Sequence, residues 1–372
     1  MLGPDERASL VELIQPASDA EITHVVGTTC SLDLTSALRM PIAVSDNPEL
    51  TDSEPVDVLT ALRLTADRID IFHQVGRIPI PHEPTALVTL LEESLHGVHQ
   101  PGAVFRPTMF LARYEHREGT IGMRLIVLTR DFTTERSWDV VVAVDGYVTT
   151  RPFAMNRPLS TLLGHLTSVA VVPLPGHRKT RLSRLADEIR YVQWTAPPAF
   201  SEVSFHLVGV PGSRSAPDFS GRRHLIISPF ADAKGIRHVL SNSATGDVTV
   251  VSTAEAFHRL CDDTDLAVTE RFTLDPSIDA SDAGVGLRTR LYCVHRDRGA
   301  QWYVGSADAS AHAFGGDVEF LVGLRGGRSV GVDALLAEDG LGAYCGRSML
   351  ACLPTIRRNI PGPPKTPRRS TW

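Results

Sequence analysis

The sequence lacks the features of several common protein classes. No apolar run approaches the ~20 residues that span a membrane, and the amino-terminal stretch MLGPDERASLVEL has no apolar core typical of a signal peptide. The net charge of −6 excludes a general basic field for nucleic acid, so any such binding needs a local patch. The five cysteines are odd in number and form no C-x-x-C pair. These absences predict a cytoplasmic protein without a membrane span.

Cofactor and metal motifs are missing as well. The pairs Gly315-Gly316 and Gly326-Gly327 lack the Lys-Ser/Thr of a phosphate-binding loop and the strand–Gly–helix order of a dinucleotide site. The histidines show no H-E-x-x-H spacing. We therefore expect no cofactor and no metal ion.

The chain has the size and pattern of a layered α/β protein. Its 372 residues, 42% hydrophobic and 22% charged, can bury a large core. Short apolar runs alternate with amphipathic segments, and the order strand, helix, strand, helix, hairpin occurs in both halves. This alternation predicts helices that cover a mixed sheet. We predict an N-terminal lobe at residues 1–175, a C-terminal lobe at 176–350, and a disordered Pro/Arg-rich tail at 351–372.

Two hairpin segments share one plan. In residues 287–324, LRTRLYCV alternates polar and apolar residues, RDRGA is a turn, and QWYVGS is the returning strand. In residues 105–139, a strand that begins with Arg-Pro-Thr turns at Gly119 and returns as MRLIVLTRD. Each copy ends with a hydroxyl residue two positions before an aspartate. The repeat predicts an internally duplicated chain.

These segments resemble the motifs of the phospholipase D superfamily, in its bacterial phospholipase-D-like and tyrosyl-DNA-phosphodiesterase-like branch. Its members carry two His-x-Lys motifs, each followed by a hairpin and a Gly-Ser-x-Asn-type element. GSADAS resembles the second element, and LTRDFTTERSWD resembles the first. The resemblance covers residues 23–337. It implies the phospholipase D fold, with two duplicated lobes related by a pseudo-two-fold axis, each a mixed β-sheet flanked by helices.

The motif positions themselves depart from the family. There, two histidines supply a nucleophile and a general acid, and Lys and Asn hold the phosphate. Here the histidine positions correspond to Arg106 and Arg288, the lysine positions to Thr108 and Arg290, and the asparagine positions to Asp131 and Asp308. Arginine stays protonated and has no lone pair with which to attack phosphorus. The resemblance therefore implies a pseudoenzyme that does not hydrolyse phosphodiesters.

The arginines at the seam between the lobes allow two interpretations. Arg106, Arg288 and Arg290 offer bidentate donors to phosphate oxygens, which predicts a cleft that binds phosphate or nucleic acid. Alternatively, Asp131 and Asp308 accept those donors. The cluster is then an ion-pair network that fastens the two halves.

Further candidates flank the motifs. Thr129 and Ser306 are candidate hydrogen-bond donors to a phosphate oxygen, or else caps of their hairpins. Asp139 and Glu319 fall where the resemblance places acidic residues that orient the family's histidines. Without histidines they are candidates to pair with the arginines at those positions, or else solvated strand ends.

Two other functions stay open. An active phosphodiesterase or nuclease needs another nucleophile, for instance His295 or Ser306. At ~3.3 Å per residue, however, a strand carries His295 about 23 Å from Arg288, which favours a turn histidine. The second alternative is a scaffold or regulatory subunit of a bacterial defence system, which binds a partner protein.

Overall fold

The computed structural model describes residues 9–16, 20–45, 55–79, 86–134, 137–213, 216–243, 246–260, 266, 268–274 and 286–337. The predicted tail at residues 351–372 lies outside the described residues. No helix of the described ranges is long and apolar enough to cross a membrane.

The first lobe is built on a seven-stranded mixed sheet. Its strands are β1 (Ala20–Thr29), β2 (Ile69–Gln74), β3 (Leu95–Val98), β4 (Met109–His116), β5 (Ile121–Leu128), β7 (Val141–Val148) and β8 (Val192–Thr195), in the order β3-β2-β1-β4-β5-β7-β8. The first three run parallel and the rest are antiparallel to their neighbours. Its helices are α1 (Leu10–Ile14), α2 (Leu34–Val44), α3 (Pro55–Ala66), α4 (Arg157–Val169) and α5 (Gly176–Glu188), with 3₁₀ helices at Ala86–Ser94, Ala154–Asn156 and Ile189–Tyr191.

The second lobe repeats this plan. Its strands are β9 (Phe200–Val208), β10 (Arg223–Ile227), β11 (Asp247–Val251), β12 (Glu270–Phe272), β14 (Leu291–Arg296), β15 (Gly299–Gly305) and β16 (Glu319–Gly326), in the order β12-β11-β10-β14-β15-β16-β9. Its helices are α6 (Ala233–Leu240), α7 (Ala254–Leu260), α8 (Ala311–Gly315) and α9 (Val332–Leu335), with a 3₁₀ helix at Arg328–Val330. The parallel and antiparallel pairings follow the same sequence as in the first sheet. The predicted α/β fold with a mixed sheet in each lobe is confirmed.

A third, two-stranded sheet joins the lobes. Strand β6 (Ser137–Trp138) of the first lobe pairs in parallel with strand β13 (Gly286–Leu287) of the second. The backbone of one lobe is therefore hydrogen-bonded directly to that of the other.

Strands β1 and β10, which hold corresponding places in the two sheets, each lead through a short elbow into a capped helix. Asp33 begins α2 by accepting hydrogen bonds from the backbone N–H groups of Thr35 and Ser36. Asp232 begins α6 in the same way and accepts from the N–H of Gly235 at 2.7 Å. Such side chains bond the N–H groups that a helix start leaves without partners. The two elbows are therefore equivalent features of the duplicated lobes.

The sheets pack face to face and bury their inner side chains in one shared core. Leu125 of β5 and Val304 of β15, for example, are fully buried in it. The outer face of the first sheet is covered mainly by α1 and α2, and that of the second by α6, α7 and α8. Burying one such side chain contributes about 1.5–3 kcal/mol. The shared core thus holds the lobes together and fixes the seam between them.

The strands change sheet between residues 196 and 199. The lobe boundary predicted at residues 175 and 176 lies in the stretch VVPLPGHRKT (171–180), which leads into α5 of the first lobe. In α5 the buried Arg178 donates to the carboxylate of Asp70 at 2.7 Å. Because Asp70 lies in β2, this ion pair holds α5 against the first sheet, and β8 then completes that sheet.

Candidate functional site

The two predicted motifs begin at equivalent places on the seam. Phe105 forms a parallel bridge with Val318 of the other lobe, and the Arg106 N–H donates to the Val318 carbonyl at 3.0 Å. On the other side, next to the pairing of β13 with β6, the Arg288 N–H donates to the Trp138 carbonyl at 2.9 Å. Arg106 and Arg288 therefore occupy corresponding positions.

Thr129 and Ser306 also correspond. The Thr129 hydroxyl accepts a hydrogen bond from the Val140 N–H at 3.0 Å, and the Ser306 hydroxyl accepts one from the Phe320 N–H at 3.1 Å. The backbone N–H of each residue donates to the carbonyl of the same partner, at 3.1 and 3.0 Å. Both side chains are buried. These hydrogen bonds attach the end of each hairpin to the segment of chain that follows it.

Arg106 is anchored by an aspartate of the opposite lobe. Its Nε donates to Asp317 Oδ2 at 2.8 Å, and it lies 3.7 Å from Glu319 Oε1. Its Nη1 is 4.0 Å from Asp308 Oδ2, beyond hydrogen-bond distance. Burial alone lowers the pKa of Arg106, but the hydrogen bond to Asp317 and the nearby carboxyl groups together raise it. The side chain is 32% exposed, and its terminal nitrogens donate no hydrogen bond within the described chain.

Arg290 is mostly buried, with 13% of its side chain exposed, and reaches across the seam. Its Nε donates to Asp308 Oδ1 at 2.8 Å, and its Nη1 donates to the carbonyl of Thr129 in the first lobe. Burial lowers the pKa of Arg290, but the charge of Asp308 and other carboxylates raises it overall. Arg290 and Asp308 therefore form an ion pair within the second lobe, and the hydrogen bond from Arg290 to Thr129 links the two lobes.

Glu319 lies at the bottom of the seam with 0% of its side chain exposed. Its Oε2 accepts a hydrogen bond from the Ser306 hydroxyl, and its Oε1 has no hydrogen-bond partner in the described part of the chain. Burial raises the pKa of Glu319 from 4.5 to about 8. The carboxyl group is therefore mostly protonated at pH 7.

Three further predicted residues lie around this cluster. The buried Thr108 hydroxyl donates to the Arg106 carbonyl at 3.2 Å, so it stabilises the local turn. Asp131 is partly exposed, and its charge helps to raise the pKa of Arg290. Arg288 is partly buried on the opposite side of the seam. The structure thus brings both motifs together but gives their residues different roles.

Two acidic residues have partners that the sequence pattern did not indicate. Asp139 pairs with Arg130 at 2.8 Å, although it was a candidate to pair with an arginine at a histidine position. Burial raises the pKa of Asp139. Asp317, the anchor of Arg106, was not singled out in the sequence. Because it lies two residues before Glu319, strand alternation places both side chains on one face, and this spacing was the available signal.

The alternative nucleophiles have other partners. His295 Nε2 accepts a hydrogen bond from the Val332 N–H at 2.8 Å, and His295 lies at the end of β14 away from Arg290. The Ser306 hydroxyl donates to Glu319, as described above. In the described ranges, no group of three or more His, Cys, Asp or Glu side chains is placed to hold a metal ion.

Comparisons with known proteins agree with this architecture. No protein-family model and no curated protein matches the sequence. Yeast tyrosyl-DNA phosphodiesterase superposes with a TM-score of 0.53 over 87% of this chain and 86% of that chain, at 11% identity. A variant of that enzyme gives 0.52 over 87% of each chain at 10% identity. Phosphatidylserine synthase from Haemophilus influenzae gives 0.43 over 85% of this chain and 79% of that chain, at 12% identity. The superposition on the yeast enzyme shows that the chain has that enzyme's fold, in agreement with the phospholipase D fold that the sequence resemblance implied.

Proposed function

We propose that this protein binds a phosphodiester group at the seam between its lobes and does not hydrolyse it. The proposal rests on the hydrogen bonding and the exposure of the Arg106 side chain. Arg106 Nε donates a hydrogen bond to Asp317 Oδ2 at 2.8 Å, and the two terminal nitrogens of Arg106 have no hydrogen-bond partner within the described residues. Since the side chain is 32% exposed, these donors are available to a ligand. A guanidinium held in this way presents two parallel N–H groups to an anion.

Arg106, Arg290 and Ser306 do not supply the nucleophile of the family's reaction. Phosphoryl transfer through a covalent intermediate needs a nucleophile with a free lone pair and an acid for the leaving oxygen. The guanidinium groups of Arg106 and Arg290 are protonated and cannot attack phosphorus. The Ser306 hydroxyl is buried and already donates to Glu319. We therefore expect binding without turnover.

The two arginines of the cluster have different carboxylate partners and different roles. Asp308 neutralises the buried Arg290, and Asp317 neutralises Arg106 in part while it orients the side chain. The first pair lies within the second lobe, whereas the second pair joins the two lobes. The second positions a cation that solvent and ligands can reach. Because each guanidinium already has one carboxylate, we expect weak and salt-dependent affinity rather than tight binding.

The ligand class follows from the related fold. The yeast protein with this fold is by name a tyrosyl-DNA phosphodiesterase. A DNA strand supplies phosphodiester groups that carry one negative charge each and fit a single bidentate arginine. We therefore take single-stranded DNA as the probe ligand for this site.

The test is fluorescence anisotropy of a labelled single-stranded oligodeoxyadenylate with the wild type and with Arg106→Ala. We expect salt-dependent binding, no shortened product, and on the order of tenfold weaker affinity for the variant. Arg222→Ala is the matched control, because Arg222 is an exposed arginine 2.9 Å from Asp297.

Equal affinity of the two variants would contradict the proposed site. Turnover of a phosphodiester reporter that Arg106→Ala abolishes would contradict the claim that the protein is a pseudoenzyme.

A further inference from the structure

The described seam buries more carboxyl groups than guanidinium groups. Asp308, Asp317 and Glu319 are all buried, and the two arginines in contact with them are Arg106 and Arg290. Asp317 and Asp308 each lie 2.8 Å from a guanidinium nitrogen. Glu319 has no such ion pair at hydrogen-bond distance, since its nearest cationic nitrogen is 3.7 Å away. One carboxyl group is therefore in excess of the cations that neutralise the other two.

Glu319 is the member of this cluster that holds a proton. It is the most deeply buried of the three, and its Oε1 has no hydrogen-bond partner among the described residues. An ionised carboxylate in that place would be a buried charge without a direct partner, which is strongly unfavourable. Burial, followed by the charge of Asp308, raises the pKa of Glu319 to about 8, although the Ser306 hydroxyl and the arginines oppose this. The titratable and polar groups that interact with Glu319 are Cys30, Arg106, Arg290, Tyr292, Ser306 and Asp308.

We infer that Glu319 is a positioning residue whose protonation state decides whether Arg106 can bind an anion. This inference rests on the proposed function. When Glu319 is neutral, Asp317 is the carboxylate that is hydrogen-bonded to Arg106, Asp308 lies 4.0 Å away, and the guanidinium presents positive charge to the cleft. When Glu319 loses its proton, a second negative charge stands 3.7 Å from Arg106 Nε. That charge attracts the guanidinium inward and repels a phosphodiester at the same site.

The first experiment measures oligodeoxyadenylate affinity between about pH 7 and pH 9, a range in which neither the phosphodiester nor adenine titrates. We expect the affinity of the wild type to fall on the order of tenfold or more above pH 8, because a unit charge is added close to the ligand. Glu319→Gln keeps a neutral side chain, so its affinity should stay constant over this range. The control Glu202→Gln changes an exposed carboxylate that pairs with Arg325, and it should behave as the wild type does.

A second measurement needs no variant. Binding calorimetry near pH 8, in two buffers of different ionisation enthalpy, counts the protons that the wild type takes up with the oligonucleotide. We expect uptake of about half a proton, because half of the Glu319 groups are ionised there and the bound state favours the neutral form. No proton uptake, or the same pH profile in wild type and Glu319→Gln, would overturn the inference while phosphodiester binding still stands. Failure of the wild type to bind at every pH would overturn the proposed function itself.

Discussion

Burial of Glu319 predicts an unusual pH dependence of stability that needs no ligand to be measured. The folded protein holds this proton up to about pH 8, whereas the unfolded chain releases it near the ordinary pKa of 4.5. Because a raised acid pKa favours the protonated folded state, stability falls as pH rises from about 4.5 to 8 and is constant above that. Within this range, each rise of one pH unit lowers the unfolding free energy by about 1.4 kcal/mol. Between about pH 5 and pH 7 the loss is therefore about 3 kcal/mol.

Glu319→Gln removes this titration and keeps a side chain of similar size. The assay is urea denaturation of wild type and variant at several values from about pH 5 to pH 7. The difference between the two proteins isolates Glu319, because every other titrating group is shared. We expect the variant to gain about 3 kcal/mol relative to wild type across this range. For the variant Glu202→Gln at an exposed site, the difference in unfolding free energy from wild type should not change with pH over this range.

A constant difference between wild type and Glu319→Gln over this range would refute the reasoning. It would mean that Glu319 is ionised in the folded protein at pH 7. The seam would then carry one more negative charge at neutral pH, and a neutral Glu319 would no longer explain why Arg106 is free to bind an anion.

Two further predictions concern ion pairs within the lobes. Asp308→Ala leaves the buried Arg290 without its carboxylate and should cost about 3–5 kcal/mol, measured by urea denaturation, whereas the double variant with Arg290→Met should regain most of it. Asp70→Asn weakens the contact with Arg178 of α5 and should cost a similar roughly 3–5 kcal/mol in the same assay. Burial opposes ionisation of Asp70, but the hydrogen bonds from His24 and His96 and the charge of Arg178 hold its pKa well below the usual range. This stability should therefore disappear as pH falls below about 4 in the wild type but not in the variant.

The repeated hairpins made the architecture predictable from the sequence. Strand alternation and turn residues are local signals, and their recurrence in both halves indicated two similar lobes before any contact was known. The recurrence also predicted that Arg106 and Arg288 occupy corresponding positions in the two lobes. The backbone hydrogen bond that each of them donates to the other lobe agrees with this prediction. The place where the chain changes sheet was harder to predict. Proline and glycine in VVPLPGHRKT indicate a turn but not which sheet the next element joins.

The sequence by itself determined the α/β layers and indicated the duplication, because these depend on local pattern. Through the family resemblance it also predicted arginine at the positions of the family's motif histidines. Only the tertiary structure decided which acid meets which arginine. Asp317 and Arg106 are 211 residues apart, and no local pattern measures that distance. The tertiary structure also decided that Glu319 is neutral at pH 7, since the pKa of a carboxyl group depends on how much water and how many cations surround it in the folded protein.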